Sequence, residues 1–225
     1  MFDSIAPRYD LLNRLLSFRR DIAWRRRLAI LVGQHSCHRV LDLATGTGDI
    51  LLALAENNAA HMAVGIDLAP EMLALAQRKL AKNRAPQTFS TIQANAAISS
   101  FRNAALDAAT IAFGIRNIPD VSQTLLEIHR LLKPGGRLFV LEFSLPANPL
   151  VRAIYLAYFR YAVPAIGGWI GRNRAAYAYL NQSVESFPYG PKFCDLLSAA
   201  GFIDVTVESL TFGIAAVYQG VKSCG

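Results

Sequence analysis

The sequence predicts an α/β fold built on a seven-stranded, mostly parallel sheet with an antiparallel last strand. Apolar runs of strand length alternate with segments of helical periodicity, and glycine-rich turns separate them. The last two predicted strands follow each other too closely for a helix between them, so they must pair as a hairpin. With 225 residues, the chain is long enough for one substantial core, which favours one domain.

The first predicted strand, Val40 to Ala44, leads into a turn that favours a nucleoside ligand. Gly46 and Gly48 permit a tight turn that a ligand can approach closely, and the second strand, Met62 to Ile66, ends in Asp67. A carboxylate there can accept hydrogen bonds from both hydroxyls of a ribose. The third glycine of the dinucleotide fingerprint and the lysine of a phosphate loop are absent. S-adenosylmethionine, a nucleoside without a diphosphate, fits this pattern; an ordinary turn with a solvated Asp67 is the alternative.

The later elements continue the alternation. They are a helix from Pro70, strands Thr88 to Gln93 and Ala108 to Phe113, a helix capped by Asp120, strand Arg137 to Phe143, a helix over 192 to 200, and strands Phe202 to Glu208 and Ala215 to Lys222. Five parallel strands plus a hairpin is the arrangement of Rossmann-like, class I S-adenosylmethionine-dependent methyltransferases.

Polar residues follow the third and fourth strands at the edge where ligands of open parallel sheets bind. Asn95, followed by Ala96, can offer a donor and an acceptor to an adenine edge, with an Asx turn as the alternative. Arg116 and Asn117 come just past the fourth strand, opposite the expected sulfonium. They are well positioned to handle a substrate oxygen, and solvation of the loop is the alternative.

No metal site is predicted, because the histidines and cysteines lack ligand spacing. The cysteines are isolated and odd in number, which indicates a reducing compartment. The residues concerned are His35, His38, His61, His129, Cys37, Cys194 and Cys224. No secretory signal is visible at the start of the chain.

Composition indicates that some apolar surface meets something other than protein. Hydrophobic residues make up 53% of the chain and charged residues only 17%, with a formal net charge of +7. Positive charge suits an acidic partner, either nucleic acid or an anionic membrane face, and no nucleic-acid motif is present. Asp21 is predicted to cap a helix whose arginines contact either solvent or lipid headgroups. These are Arg19, Arg20, Arg25, Arg26 and Arg27.

The segment from Pro146 to Tyr179 is too apolar for the surface helix of a freely soluble enzyme. Its aromatic and basic residues are typical of a membrane interface, and burial in a homodimer contact is the alternative. Ala153 to Gly171 is a poor membrane span because Arg160 lies near its centre. We therefore expect four parts in one domain: a helical lid (1–32), a cofactor-binding core (33–145), an apolar substrate cover (146–190) and a closing helix with hairpin (191–225).

The sequence resembles the C-methyltransferases of menaquinone and ubiquinone biosynthesis over nearly its whole length. The motifs that carry the resemblance are Phe2-Asp3-Ser4-Ile5-Ala6 with Tyr9-Asp10, Leu41-Asp42-Leu43-Ala44-Thr45-Gly46-Thr47-Gly48-Asp49, Gln93-Ala94-Asn95-Ala96, Phe113-Gly114-Ile115-Arg116-Asn117, Leu132-Lys133-Pro134-Gly135-Gly136-Arg137-Leu138 and Glu142-Phe143-Ser144. The glycine-rich motif around Gly46 and the Lys-Pro-Gly-Gly motif are common to many methyltransferases, whereas Phe-Gly-Ile-Arg-Asn and the amino-terminal motif are more specific.

The resemblance implies that Thr47, Asp67, Asn95 and Ala96 contact S-adenosylmethionine and that Arg116 and Asn117 lie beside a prenylated quinol. The implied activity is methylation of the ring of a prenylated quinol, with demethylmenaquinol to menaquinol preferred and a benzoquinol as the alternative. The apolar segment and the arginines together predict that it takes place at the cytoplasmic face of a membrane. Three departures bear on the site. Ala112 replaces a common Ser, residues 97–101 lack the usual Glu and Leu-Pro-Phe ending, and the chain starts just before Phe2, without the short leader of many relatives, so we expect a less firmly anchored lid.

Two other functions share some of these features. A phospholipid amine N-methyltransferase would use the same cofactor site and apolar cover, but it has no use for Phe-Gly-Ile-Arg-Asn. A non-catalytic lipid-binding subunit of a quinone-synthesis complex would have no need of an intact Gly46-Thr47-Gly48 turn with Asp67. Cofactor affinity distinguishes the subunit from either enzyme.

Overall fold

The computed structural model describes residue 14 and residues 17–97, 101–162 and 182–224. Helices and strands alternate along the chain in the predicted order. The helices are α1 (Arg20–Gly33), α2 (Asp49–Glu56), α3 (Pro70–Lys82), α4 (Val121–Leu131), α5 (Pro149–Ala157) and α6 (Pro191–Ala199). The strands are β1 (Arg39–Leu43), β2 (Met62–Asp67), β3 (Phe89–Gln93), β4 (Leu106–Ala112), β5 (Leu132–Phe143), β6 (Phe202–Leu210) and β7 (Ala215–Lys222).

The strands form one seven-stranded sheet in the order β3-β2-β1-β4-β5-β7-β6. Strands β1 to β5 pair in parallel, and β7 is antiparallel to both of its neighbours. The connection between β6 and β7 contains only the short helical turn Thr211–Gly213, which cannot carry a crossover. The predicted fold class and the antiparallel last strand are thus confirmed.

Helices cover both faces of the sheet. On one face, Trp24 and Leu28 of α1 pack with Leu51 of α2 and with Phe139 of β5. On the other face, Leu125 of α4 and residues of α6 pack against the opposite side of the same strands. Because successive side chains of a strand point to opposite faces of the sheet, neighbouring residues contribute alternately to the two cores. This packing holds the carboxyl ends of β1, β2, β4 and β5 at one edge.

Two local predictions are wrong. Strand β5 begins at Leu132, five residues before the predicted start at Arg137, because Leu132 pairs with Leu106 before the register shifts. Gly135 in this irregular stretch has φ 77°. Asp21 does not cap α1: it lies in the first turn, and the capping position is Arg19. The carboxyl of Asp21 instead accepts a hydrogen bond from Ser17 Oγ and pairs with Arg25.

The predicted apolar cover is described only in part. Tyr155 and Phe159 are buried with Val184, whereas Leu150 and Ile154 on α5 are 70% and 63% exposed. Most of the predicted lid, and residues 163–181 of the cover, lie outside the described residues. Within the described segments, no helix is long and apolar enough to cross a membrane.

Candidate active site

Two glycines with left-handed backbone angles shape the turn between β1 and α2. Gly46 has φ 54° and Gly48 has φ 78°. A Cβ on Gly48 would lie 2.9 Å from the Cβ of Ala76 in α3, whereas a Cβ on Gly46 would meet nothing within 4 Å. Packing and conformation therefore both favour glycine at position 48, and the open space at Gly46 leaves room for a ligand.

Asp67 lies beside this turn at the end of β2. Its Oδ2 accepts a hydrogen bond from the Gly46 amide at 2.8 Å, and its Oδ1 accepts one from the Ala69 amide at 2.9 Å. The residue is partly exposed, and each oxygen keeps a further lone pair for a ligand hydroxyl. The structure thus brings Asp67 and Gly46 together, and the carboxylate also fixes the turn.

Asp42 is a polar residue of this edge to which the sequence pattern assigned no role. It is buried within β1, where its Oδ2 accepts a hydrogen bond from Thr45 Oγ1 at 2.6 Å and its Oδ1 accepts one from Thr110 Oγ1 at 2.7 Å. Burial raises the pKa of Asp42 to about 7, although both hydroxyl bonds favour the ionised form. A lone acid inside an apolar strand is the signal that could have revealed it.

Alternating charges connect α1 and α3 to the glycine turn. Lys79 donates hydrogen bonds to Thr47 Oγ1 at 2.8 Å and to Asp49 Oδ1 at 2.6 Å. Arg25 pairs with Asp21, and its Nη1 lies 3.7 Å from Asp49 Oδ2. Burial opposes ionisation of Asp49, but Arg25 and Lys79 outweigh it and lower its pKa. Thr47 is therefore held in the turn through its side chain.

The five arginines expected to form one basic surface divide into two groups. Arg25 is buried against the Phe113 ring, with its guanidinium carbon 5.5 Å from the ring centre. Arg27 donates two hydrogen bonds of 2.8 Å to Glu208. The expectation that all five lie free on the surface is thus wrong, because folding supplies acidic and aromatic partners that are distant in sequence. Those that stay exposed are Arg19, Arg20 and Arg26.

Asn95 and Ala96 follow β3 at the same edge as Asp67. Asn95 Oδ1 accepts a hydrogen bond from the Ala97 amide at 2.9 Å, so the Asx turn weighed as an alternative is present. The residue is exposed, and no hydrogen bond of its Nδ2 to a described residue is found. The Asx turn uses only Oδ1, so the Nδ2 amide can still donate to an adenine acceptor.

Arg116 is a buried cation directly past β4, in the helical turn Ile115–Asn117. Its Nη1 donates to the Phe113 carbonyl at 2.8 Å and to Glu142 Oε1 at 2.5 Å, and only 7% of the side chain is exposed. The guanidinium carbon lies 5.3 Å from the centre of the Phe143 ring. Asn117 Nδ2 approaches the same Phe113 carbonyl at 3.5 Å. The two predicted catalytic residues thus share one anchoring point.

Glu142, near the end of β5, is a second polar residue that the sequence left without a role. Its Oε1 accepts hydrogen bonds from Arg116 and from the Phe143 amide, at 2.8 Å for the amide. Burial raises the pKa of Glu142, against the opposing effect of Arg116. The only sequence signal was its place in Glu142-Phe143-Ser144, the last of the motifs given above.

These features fit S-adenosylmethionine. The turn is open at Gly46, and Asp67 supplies an acceptor where a ribose would need one. A Cβ on Gly114 would lie 2.7 Å from the Cβ of Ala44, so the ends of β1 and β4 approach each other closely. Arg116 and Glu142 lie past β4 and in β5, adjacent strands of the sheet. Among the described residues, no three potential metal ligands lie together.

A family model described as the ubiE/COQ5 methyltransferase family matches residues 1–222. The chain is 48% identical over 220 residues to a protein of Thermus thermophilus named demethylmenaquinone methyltransferase, covering 98% of this chain and 99% of that protein. It is 45% identical over 223 residues to a protein of Geobacter sp. strain M21 named ubiquinone/menaquinone biosynthesis C-methyltransferase UbiE, covering 99% and 94% of the two chains.

Solved structures share the fold at low sequence identity. An O-methyltransferase family protein from Burkholderia thailandensis has a TM-score of 0.71 at 17% identity, covering 97% of this chain and 60% of that one. A phosphoethanolamine N-methyltransferase 2 from Haemonchus contortus, solved with S-adenosyl-L-methionine, has a TM-score of 0.60 at 16% identity, covering 84% and 49%. At these identities the likeness concerns the fold alone.

Proposed function

The chain belongs to the ubiE/COQ5 methyltransferase family, and from this premise we propose that it transfers a methyl group from S-adenosylmethionine to a ring carbon of a prenylated quinol. The names of relatives from Thermus thermophilus and Deinococcus radiodurans favour demethylmenaquinol as the substrate. The observation that carries the proposal is the pairing at one sheet edge of an open glycine turn held by Asp67 with a buried cation, Arg116.

The quinol must be reduced, because an electron-rich ring carbon attacks the methyl group whereas an oxidised quinone is itself an electrophile. S-adenosylmethionine supplies the activated methyl group. The protein orients the ring and stabilises the negative charge that develops on the ring oxygen. We assign this second role to Arg116; support comes from its burial, which strengthens the field of its charge, and from the Glu142 pair, which fixes its position. Asn117 orients the ring oxygen.

A methyl-transfer assay tests this function. It combines purified protein, tritiated S-adenosylmethionine and a reduced short-chain demethylmenaquinol. We expect label in the quinol ring, shown by mass spectrometry of the product. Arg116→Ala should lower the methyl-transfer rate about a hundredfold or more while cofactor affinity stays within about threefold, because its charge acts mainly on the transition state. Arg26→Ala, which removes an exposed guanidinium, is the matched control and should leave the rate unchanged.

Two results would contradict the proposal. Methylation of phosphatidylethanolamine instead of the quinol would make the chain a phospholipid amine N-methyltransferase. Failure to bind S-adenosylmethionine would favour a non-catalytic lipid-binding subunit.

We also propose that the enzyme works at the cytoplasmic face of an anionic membrane, as a peripheral protein. A long prenyl tail is nearly insoluble in water, so the site must receive it from lipid. Support comes from an apolar edge of large exposed side chains. Its members are Phe18, Leu150, Ile154, Tyr161 and Phe212, all at least 63% exposed.

Contacts between elements bring the side chains of this apolar edge together near the start and the end of α5. The rings of Phe18 and Tyr158 lie 5.6 Å apart, so the turn before α1 meets the end of α5. A Cβ on Gly213 would lie 3.2 Å from the Cα of Pro146, so the Phe212 turn meets the chain that leads into α5. The exposed Arg19 and Arg20 follow Phe18 directly in sequence and Arg26 lies farther along α1, and each can attract anionic headgroups by about 1 kcal/mol.

Liposome sedimentation tests this localisation. We expect more protein on phosphatidylglycerol vesicles than on phosphatidylcholine vesicles, with less binding in high salt. Leu150→Glu with Ile154→Glu should reduce binding to both, whereas Arg19→Gln, Arg20→Gln and Arg26→Gln together should reduce only the anionic preference. Lys192→Gln on the exposed side of α6 is the control. A protein that stays in the supernatant as a tight dimer would instead make the apolar edge a subunit interface.

A further inference from the structure

Three buried polar atoms around the Arg116–Glu142 ion pair lack a hydrogen-bond partner within the described part of the chain. They are Arg116 Nε, Glu142 Oε2 and the Tyr155 hydroxyl. Buried donors and acceptors are normally paired, so such a set requires an explanation. The proposed role of Arg116 uses the first atom, but it leaves the other two oxygens unexplained.

The two oxygens belong to one cluster. Tyr155 lies on α5, and the charges of both Arg116 and Glu142 act on the pKa of its hydroxyl. Burial is the largest effect and raises that pKa, so the hydroxyl stays protonated and can donate. Tyr155 stacks on Phe159 with ring centres 5.2 Å apart, and Phe159 lies 6.2 Å from Phe143. Aromatic rings thus extend from Tyr155 to Phe143, the residue after Glu142, and such rings can pack against a flat aromatic substrate.

The ion pair accounts for only one of the two carboxylate oxygens of Glu142. Oε1 accepts both of its hydrogen bonds, from Arg116 and from the Phe143 amide. Oε2 accepts none from any residue that the structure describes, although it lies in the same buried environment. A carboxylate kept only to position Arg116 would have no use for a second oxygen that is desolvated and unpaired. The arrangement suits a ligand that brings its own hydroxyl to Oε2.

We propose that Glu142 is the proton acceptor for the quinol hydroxyl next to the reacting carbon, and that Tyr155 donates a hydrogen bond to the same ring oxygen. The inference rests on the proposed function and names the residues that complete it. Both residues are then catalytic, since both touch the substrate. Arg116 stabilises the charge on the oxygen, and Glu142 provides a destination for its proton.

The proton and electron balance closes with these groups. As the hydroxyl proton passes to Glu142 Oε2, the oxygen forms a carbonyl and the ring carbon bonds to the methyl group, while the electron pair of the broken S–C bond stays on sulfur. The ring carbon then releases its hydrogen as a proton to water, and those electrons restore the aromatic ring. Glu142 returns its proton to the oxygen. One proton is released in each turnover, and no oxidant or metal is needed.

Glu142→Gln and Tyr155→Phe test the assignment, with a short-chain demethylmenaquinol as the probe. Glu208→Gln is the matched control for the carboxylate, because Glu208 also pairs with an arginine but lies away from the site. Glu208→Gln should keep wild-type kcat. Quinol affinity is measured without cofactor by quenching of tryptophan fluorescence, since Trp24 packs against Phe113 and Phe143.

For Glu142→Gln, we expect kcat to fall about a hundredfold to a thousandfold, with quinol affinity within about threefold. The wild-type kcat should vary little between pH 7 and 9, whereas that of the variant should rise about tenfold per pH unit as hydroxide replaces the lost acceptor. The ionisable or charged groups that face Glu142 are Arg116, Tyr155 and Tyr218, and all three are present in both proteins. The altered slope therefore reports the loss of Glu142 itself.

For Tyr155→Phe, we expect quinol affinity to fall about tenfold and kcat to fall by a similar factor. A Glu142→Gln variant with wild-type kcat, or with a reduced kcat that keeps the wild-type pH profile, would overturn the assignment of Glu142. If Glu142→Gln does not fold, wild-type affinity and kcat in Tyr155→Phe would overturn the shared site. A wild-type protein that methylates no quinol would overturn the proposed function instead, which separates the two failures.

Discussion

Replacing Asp67 with Ala should weaken cofactor binding far more than it destabilises the fold. A ribose would lose two hydrogen bonds to a carboxylate, each contributing about 1.5–3 kcal/mol. Their sum, about 3–6 kcal/mol, corresponds to a loss of at least about a hundredfold in affinity. The Gly46 and Ala69 amides also lose their acceptors. Because Asp67 is partly exposed, water can replace those bonds, so unfolding should become easier by only about 1–2 kcal/mol.

Calorimetry gives the dissociation constant for S-adenosylmethionine, and urea unfolding gives the stability. Asp195→Ala is the matched control, because it removes an exposed carboxylate from α6 on the far part of the sheet. It should change neither quantity. An Asp67→Ala protein that stays folded and keeps wild-type affinity would refute the role of Asp67 and the location of the cofactor beside the glycine turn.

Asp42→Asn should reduce the loss of unfolding free energy that occurs as the pH rises. The folded-state pKa of Asp42, raised to about 7, lies above the unfolded value of about 3.9, so the protonated carboxyl stabilises the fold. That contribution is lost between these two pH values. Melting temperatures of the wild type and the variant that change in parallel from pH 4 to 8 would contradict this. Gly48→Ala should cost about 1–3 kcal/mol in urea unfolding, since its Cβ would lie 2.9 Å from that of Ala76; a neutral result would refute the packing at this turn. Arg25→Met should destabilise by about 3–5 kcal/mol by leaving the buried Asp21 carboxylate without its cation, whereas the exposed Arg26→Met should change little; equal melting temperatures would show that the buried pair does not contribute.

The sheet could be predicted because its information is local. Apolar runs, glycine turns and the short connection before β7 each act over a few residues, and they indicate the number and direction of the strands. The early start of β5 escaped prediction because it depends on Leu106, which pairs with Leu132 across the sheet. The composition of the next residues, a lysine, a proline and two glycines, indicates a turn. Pairing with the neighbouring strand nevertheless makes this segment part of the sheet.

Candidate site residues could be proposed from the sequence where a residue type and its place at a strand end suffice. Asp67 and Arg116 were proposed in this way, and the structure brings both to the same edge of the sheet. Glu142 and Asp42 were not given roles, because a buried acid is recognisable only once its partners are known. The same reason explains the error about Arg25: the sequence shows the charge, but only the fold shows the carboxylates that enclose it.

The central claim is that the chain methylates the ring of a prenylated quinol. Analysis of the quinones in a host that lacks its own enzyme tests this claim most directly. Extracts from such cells carrying this chain are compared by chromatography and mass spectrometry with extracts from cells carrying Arg116→Ala. We predict that the wild-type chain converts demethylmenaquinone to menaquinone and that the variant leaves the demethyl precursor in place. Accumulated demethylmenaquinone in cells that contain the folded wild-type chain would contradict the account.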